Sequence, residues 1–223
     1  MSDEVIWRRP TRPSRGPRPT RSRDEIVAAA VELADADGIE AVSMRQVAAA
    51  VGLGTMSLYR YVPTKSDLVD LMLDAVSGEY ELPEAPSGDW RADLRGLSRQ
   101  GRAIMRRHPW LPHVVITRPS MGPNVLRHTE FCLEALEPAG LDPGRALEVV
   151  AMVNATVASY AANELGQAAT SENRRESVAT HLREIVEGGE HPALARALSA
   201  PPPQEDPFER LLDLVLSGIG DAR

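Results

Sequence analysis

The segment 43–61 constrains the fold of this chain most, because two short apolar-faced stretches are separated there by Gly52-Leu53-Gly54. A capping-box pattern begins at Ser43, and Thr55 has the chemistry of an N-cap for a second helix that ends near Tyr61. Two short helices joined by a tight glycine turn have helix-turn-helix spacing. In such a unit the first helix crosses the phosphate backbone of double-stranded DNA, and the second lies in the major groove.

The outer face of this helix pair carries side chains that suit DNA. Arg45 can donate two hydrogen bonds to guanine, Met56 can pack on a thymine methyl group, and Lys65 can meet a phosphate. The predicted DNA contacts are Ser43, Arg45, Thr55, Met56, Ser57, Tyr59, Arg60, Tyr61 and Lys65. An ordinary solvated helix pair is the alternative. It explains each residue singly, but not the capping, the glycine turn and the basic arm together.

An uneven charge distribution reconciles DNA binding with a net charge of −7. Residues 1–65 carry a net charge of +2, and residues 66–223 carry a net charge of −9. Residues 1–21 are rich in Arg, Pro, Ser and Gly and are predicted to be a disordered arm. Its arginines enter a minor groove, hold phosphates without inserting, or only keep the chain in solution. The predicted arm contacts are Arg12, Arg15, Arg18 and Arg21.

Apolar residues recur at helical spacing after the arm, and no stretch alternates with the period of a strand, so an all-α fold is predicted. The predicted domains are a three-helix DNA-binding domain with a connecting fourth helix over 22–78, a linker over 79–88, and a helical ligand-binding and dimerisation domain over 89–223. Capping patterns at Ser22 and Thr64 predict the starts of the first and fourth helices. Further helices are predicted over about 89–107, where His108-Pro109 ends the pattern, and over 123–137, 143–165, 172–187 and 206–218. Irregular backbone is predicted over 109–121, which contains three prolines, and over 166–171.

The stretch GLGTMSLYRYVPTKSDL, within residues 22–76, resembles the DNA-binding domain of TetR-family transcriptional regulators. That resemblance implies base contacts from Arg45 and residues 55–57, and phosphate contacts from Tyr59, Tyr61 and Lys65. It also implies a homodimer that binds a palindromic operator and acts as a repressor released by a small-molecule ligand.

The stretches GDWRADLRGLSRQGRAIMRRHPW and ITRPSMGPNVLRHTEFCLEAL are similar to the C-terminal domain of tetracycline repressors, including the sequence Thr-Arg-Pro at 117–119. Those repressors place a magnesium-binding His three residues before the Thr, where this chain has Val114. Because valine cannot ligate a metal, we expect no metal or cofactor and an effector other than magnesium–tetracycline. The predicted ligand contacts are Trp110, His113, Thr117, Arg118, His128 and Asn154.

Two apolar helix faces, over 143–165 and 206–218, allow two interpretations. Either they complete the core of one chain, or they form a four-helix interface between two copies, which the TetR resemblance favours. The residues concerned are Ala146, Val149, Val150, Val153, Val157, Tyr160 and Ala161 on the first face, and Phe208, Leu211, Leu212, Val215 and Ile219 on the second.

Other classes of protein fit the sequence less well. No nucleophile elbow or Ser-His-Asp pattern indicates an enzyme. The lone Cys132 fits a buried thiol in a reducing cytoplasm, and no apolar run is long enough to span a membrane. A helical protein that binds DNA constitutively, without a ligand, is the remaining alternative, and a C-terminal domain without a cavity would favour it.

Overall fold

The computed structural model of this chain describes residues 6–8, 21–118, 120–201 and 204–220. The predicted arm contacts Arg12, Arg15 and Arg18 lie outside these residues. The described part contains α-helices and short 3₁₀ turns and no strand, which confirms the predicted all-α class. The helices are α1 (Arg23–Asp37), α2 (Met44–Ala50), α3 (Thr55–Leu58), α4 (Lys65–Ser77), α5 (Trp90–Arg107), α6 (Leu111–Thr117), α7 (Pro123–Leu136), α8 (Pro143–Ala169), α9 (Glu172–Glu187), α10 (Pro192–Ser199) and α11 (Pro207–Gly220).

The chain divides into two compact units, Met1–Ala162 and Asn163–Arg223. In the first unit, α1 packs on α2 and α4, α2 packs on α3, and α7 packs on both α4 and α5. In the second unit, α9 packs on α10. No described helix combines the length and the apolar character that a membrane span requires.

The first helices begin where the capping patterns predict. Ser22 caps α1 in a complete capping box with Glu25, and Gly38 ends the helix with a φ of 84°. Ser43 caps α2 through the Gln46 amide, but the Gln46 side chain returns to the Ser43 hydroxyl rather than to its backbone N–H. The box at α2 is therefore only half formed.

The turn before α3 differs from the prediction. Gly52 has a φ of 68°, a conformation that glycine adopts without a Cβ penalty. Gly54, and not Thr55, is the N-cap of α3, because Gly54 is the last extended residue and Thr55 is already helical. The helix ends at Leu58 and is followed by turns to Tyr61, so it is shorter than predicted.

One face of α4 holds the segment that connects α6 to α7. Its residues Ser66, Asp70 and Asp74 are four apart and therefore lie on one side of the helix. Arg118 pairs with Asp70 at 2.7 Å and also donates to the Ser66 hydroxyl. The Asp74 carboxylate accepts the backbone N–H groups of Asn124 at 2.8 Å and Val125 at 3.2 Å. It thereby caps α7 from another helix.

Three segments of the C-terminal half differ from the predictions. Residues 109–121 were predicted to be irregular, but they contain α6. Pro112 does not interrupt this helix, because it stands in the first turn, where no backbone N–H is needed. Residues 166–171 were predicted to form a loop, but α8 continues to Ala169 and Ser171 then caps α9. Helix α10 was not predicted.

The apolar face of α8 belongs to the core of one chain. Six of the side chains assigned to it are buried without any second copy, namely Ala146, Val149, Val150, Val153, Val157 and Ala161, and Tyr160 is half-buried. On α11, Phe208, Leu212 and Ile219 are also buried, whereas Leu211 and Val215 are half-buried. The buried members therefore fit the core interpretation, and the interface between two copies stays a prediction.

Candidate nucleic-acid interface and effector cavity

The helix-turn-helix pair is held by apolar contacts that leave its polar side chains outside. Val47 of α2 and Leu58 of α3 are completely buried, so the opposite faces of both helices meet solvent. Met56 is 80% exposed, the highest exposed fraction of any large apolar side chain in the described residues. The other predicted contacts divide into Arg45, Tyr59, Arg60 and Lys65, which are exposed, and Ser43, Thr55, Ser57 and Tyr61, which are half-buried.

Three of the predicted DNA contacts, Ser43, Ser57 and Arg60, also have side-chain partners within the chain. The Ser43 hydroxyl accepts the Gln46 amide N–H at 3.3 Å and donates to Gln46 Oε1 at 2.7 Å, so it is engaged as a helix cap. Arg60 donates from Nη2 to the Ser57 hydroxyl at 3.3 Å, an exposed contact that DNA can replace.

Arg21, the last residue of the arm, is fixed beside the turn between α2 and α3. Its Nε donates to the carbonyl oxygen of Val51 at 2.9 Å, and its Nη1 lies 3.8 Å from Glu25. Because Val51 is the C-cap of α2, this contact satisfies a carbonyl that the helix leaves free. Arg21 is therefore part of the folded unit, unlike the freely moving arm residue that was predicted.

A small cavity lies between α5, α7 and α8, and two of the predicted ligand contacts line it. Its volume is about 10 Å³, room for about one water molecule. The lining residues are Leu94, Leu97, Ser98, His128, Cys132, Val150, Val153 and Asn154. His128 and Asn154 thus meet at one site.

The cavity is poorly suited to charge. Burial lowers the pKa of His128 to about 4, so its ring is neutral at pH 7. Burial also raises the pKa of the Cys132 thiol to about 12, which keeps it protonated 3.8 Å from His128 Nε2. A protonated buried thiol is a structural group and not a nucleophile.

The other four predicted ligand contacts do not line this cavity. The Trp110 indole donates to Asp35 at 2.7 Å, and Arg118 is bound to α4 as described above. His113 is exposed, and the Thr117 hydroxyl donates to its carbonyl oxygen at 2.9 Å. Trp110, Thr117 and Arg118 thus have hydrogen-bond partners within the chain, and the ligand contacts predicted for these four residues stay predictions.

His108 is a connecting residue that the sequence analysis missed. The ring is buried, with Nδ1 2.8 Å from Asp35 of α1 and Nε2 2.9 Å from Glu79 after α4. Burial of the Glu79 carboxylate opposes ionisation, but hydrogen bonds from Arg107 and His108 outweigh it and lower the pKa of Glu79. From the sequence, His108 was predicted only to end a helix before Pro109. Its two hydrogen-bond partners could not be predicted, because they lie 29 and 73 residues away along the chain.

These parts define a class of protein. A helix-turn-helix with an exposed polar face, connected through Asp35 and Asp74 to helices that enclose a cavity, is the arrangement of a DNA-binding regulator with an effector domain. The chain belongs to the TetR family. Residues 26–72 match the family described as bacterial regulatory proteins, tetR family, and residues 82–222 match the tetracyclin repressor-like C-terminal domain.

Relatives of known name agree with this assignment. The HTH-type transcriptional repressor DrrR1 of Streptomyces coeruleorubidus is 46% identical over 165 residues, which are 74% of this chain and 61% of that protein. The match therefore spans less than two thirds of the length of DrrR1. An HTH-type transcriptional regulator of Saccharopolyspora erythraea is 38% identical over 192 residues, which are 86% of this chain and 80% of that protein.

Solved structures share the fold. Apo ActR from Streptomyces coelicolor has a TM-score of 0.77 at 25% identity, covering 91% of this chain and 99% of ActR. ActR in complex with actinorhodin has a TM-score of 0.75 at 27% identity, covering 92% of this chain and 99% of ActR.

Proposed function

We propose that this chain is a sequence-specific transcriptional repressor that binds a palindromic operator as a homodimer and leaves it when a small molecule enters the C-terminal helices. The observation that carries this proposal is the exposed row of Arg45, Met56, Tyr59, Arg60 and Lys65 above the buried Leu58. Membership of the TetR family supports it, and so does the similarity to DrrR1, which is named as a repressor. The site of action is the cytoplasm, where the operator lies, and no catalysis is proposed.

The DNA contacts have separate roles in this proposal. Arg45, Thr55, Met56 and Ser57 contact base edges, where bidentate hydrogen bonds and methyl contacts distinguish base pairs. The remaining groups, namely Ser43, Tyr59, Arg60, Tyr61 and Lys65, contact or orient phosphates, as do the arm residues Arg12, Arg15, Arg18 and Arg21. Lys65 is the first residue of α4, so the positive end of that helix adds to its charge.

The effector signal passes through hydrogen-bonded residues. Helix α7 contributes His128 and Cys132 to the cavity, and its first turn is held by Asp74 of α4. Helix α4 begins at Lys65 and packs on α1, and α1 packs on α2. A shift of α7 therefore moves α4 and α1, and with them the helices that contact DNA. A ligand acts by binding more tightly to the conformer that fits the operator less well. ActR has been crystallised in complex with actinorhodin and with (S)-DNPA, and this supports a small-molecule effector for the present chain.

We predict that Arg45→Ala and Lys65→Ala have different effects on DNA binding. Arg45→Ala is expected to remove about 1–3 kcal/mol of discrimination at one base pair, because a base-edge contact is lost. Lys65→Ala is expected to weaken binding to all sequences about equally and to reduce the salt slope by about one, because a phosphate contact is lost. Selection from random duplexes, followed by titration at several salt concentrations, measures both. Unchanged base preference in Arg45→Ala would contradict the assigned recognition surface.

The homodimer requires an apolar surface that a single chain leaves open. Leu214 of α11 is 73% exposed, whereas Phe208, Leu212 and Leu216 of the same helix are buried. Leu214→Glu is expected to shift the protein from dimer to monomer and to weaken operator binding at least about tenfold, since two half-sites then bind independently. Sedimentation velocity measures the first effect. Leu126→Glu, at a half-exposed leucine of α7, is the matched control, and a dimeric Leu214→Glu protein would refute this interface.

The constitutive DNA-binding alternative gives a different result in the same assays. It predicts selective operator binding that no small molecule changes, in agreement with a cavity of only about 10 Å³. The proposed repressor requires that this cavity enlarge when the effector binds.

A further inference from the structure

We propose that Ser98, His128 and Asn154 form the inner end of an effector site that opens when Tyr80 turns away, and that its ligand is a planar aromatic molecule carrying a protonated amine. This inference rests on the proposed function, since it names the chemical class of the effector. Three features of the structure support it: an unsatisfied hydroxyl, an aromatic ring between two spaces and an acidic groove.

The unsatisfied hydroxyl is that of Ser98 on α5. Ser98 is only 5% exposed and lines the cavity, and its Oγ has no hydrogen-bond partner within the described part of the chain. A buried hydroxyl without a partner is unfavourable, so a polar group that reaches it gains a hydrogen bond without displacing another protein group. Asn154 and the neutral His128 line the same space and can donate or accept as well.

The partition is the ring of Tyr80, in the segment between α4 and α5. Its centroid lies 4.3 Å from that of the His128 ring, and Tyr80 also lines a groove together with Phe131. Gly101 leaves the room that the phenol occupies, because a Cβ there would lie 2.5 Å from the Tyr80 oxygen. Aromatic rings pair favourably at such distances, so a planar ligand can replace Tyr80 over His128.

The volumes agree with an opening of this kind. The inner cavity has about 10 Å³, whereas the groove beyond Tyr80 has about 610 Å³. Sites for drug-sized ligands have about 300–1,000 Å³. Removal of Tyr80 from its position would join the two spaces and let a fused ring system reach Ser98 from the groove.

The charge of the groove selects a cation. Its lining includes four carboxylates, those of Glu81, Glu84, Glu130 and Glu134, and a single cation, Arg127. Among the described residues, none of these four carboxylates is ion-paired, and Glu130 and Glu134 repel each other at a spacing of four on α7. An ammonium group is attracted there, whereas an anionic ligand would find no cation at the inner end, because His128 is neutral.

The test uses three probes with the same ring and different charge, namely 9-(aminomethyl)anthracene, 9-anthracenemethanol and 9-anthracenecarboxylate. Each is titrated by fluorescence into the full chain without DNA, because cationic aromatic dyes also bind duplexes. The ammonium probe is expected to bind about tenfold more tightly than the carboxylate, with the alcohol between them. Equal affinities, tighter binding of the carboxylate, or no binding of any probe would overturn the proposal.

Variants locate the site. Glu130→Gln with Glu134→Gln is expected to reduce the advantage of the ammonium probe over the alcohol to less than about threefold, whereas Glu148→Gln, at an exposed glutamate of α8, leaves it unchanged. Ser98→Ala is expected to weaken the alcohol probe about fivefold through the lost hydrogen bond. An unchanged charge preference in the double variant would overturn the proposal too.

Selective DNA binding is measured on the same preparations. If the chain selects an operator but binds none of the probes, the inference fails and the repressor proposal stands. If it selects no DNA sequence, the proposed function itself fails, whatever the probes show.

Discussion

Asp74→Ala is expected to lower the free energy of unfolding by about 3 kcal/mol, because it leaves several buried hydrogen-bond donors without a partner. The Asp74 side chain is 5% exposed and accepts the backbone N–H groups of Asn124 and Val125 and the Asn124 side-chain amide, the last at 3.1 Å. The N-cap of α7 is Gly122, which has no side chain, so no other residue on α7 performs the capping. Chemical denaturation followed by circular dichroism measures the loss.

Two further variants separate hydrogen bonding from charge. Asp74→Asn keeps one carbonyl oxygen as an acceptor and is expected to lose about half as much, roughly 1.5 kcal/mol. Asp37→Ala removes an exposed carboxylate from the last turn of α1 and is expected to change stability by less than about 0.5 kcal/mol. If Asp74→Ala were as stable as Asp37→Ala, the capping of α7 by α4 would have no energetic importance.

The elements that the sequence predicted correctly are those with local causes. The capping box at Ser22, the cap at Thr64 and the glycine turn at Gly52 are read from residues a few positions apart. Helix α9 was predicted with its observed limits from helical periodicity, and a serine cap and a glycine end bound the same stretch in the structure. These signals are properties of single turns, so they do not depend on the rest of the fold.

The elements that were wrong involve competing local signals. Two of the prolines in 109–121 suggested irregular backbone, yet Pro109 precedes α6 and Pro112 stands within its first turn. Residues 166–171 were predicted to form a loop after a helix over 143–165, but the one glycine there, Gly166, lowers helix stability by only about 1 kcal/mol, and α8 continues to Ala169.

The candidate site shows the same division. The exposed face of the helix-turn-helix follows from helical periodicity, so Arg45 and Met56 were placed outside correctly. The partners of Trp110 and Arg118 lie 75 and 48 residues away, on α1 and α4. Periodicity and spacing carry no information about such contacts, so neither of these two hydrogen-bonded contacts was predicted. His108 was missed for the same reason.

The unfolding free energy is expected to fall between pH 7 and pH 4 because of His128. Burial lowers the pKa of this histidine from its ordinary 6.5 to about 4, so the folded chain keeps the ring neutral over a range in which the unfolded chain protonates it. The unfolded state then binds more protons, and stability rises with pH across this range. The contribution is complete above about pH 6.5 and is lost as the pH falls towards 4.

The size of this effect follows from the shift. Each pKa unit corresponds to about 1.4 kcal/mol, so the contribution of His128 that disappears between pH 7 and pH 4 is about 3 kcal/mol. His128→Gln retains a polar side chain of similar size that does not titrate, and its stability is expected to decrease about 3 kcal/mol less than that of the wild type over the same interval. Other titrating groups are common to both proteins and cancel in the difference.

His181→Gln provides the matched control, since it makes the same chemical change on the exposed surface of α9. Its stability is expected to follow the wild type at every pH, whereas that of His128→Gln should approach or exceed the wild type as the pH falls. Tyr80 covers one face of the His128 ring and Cys132 lies beside it, and burial raises the pKa of both, so neither gains charge over this range. Parallel pH profiles for wild type and His128→Gln would mean that water reaches the ring, and the cavity would then be open without any ligand.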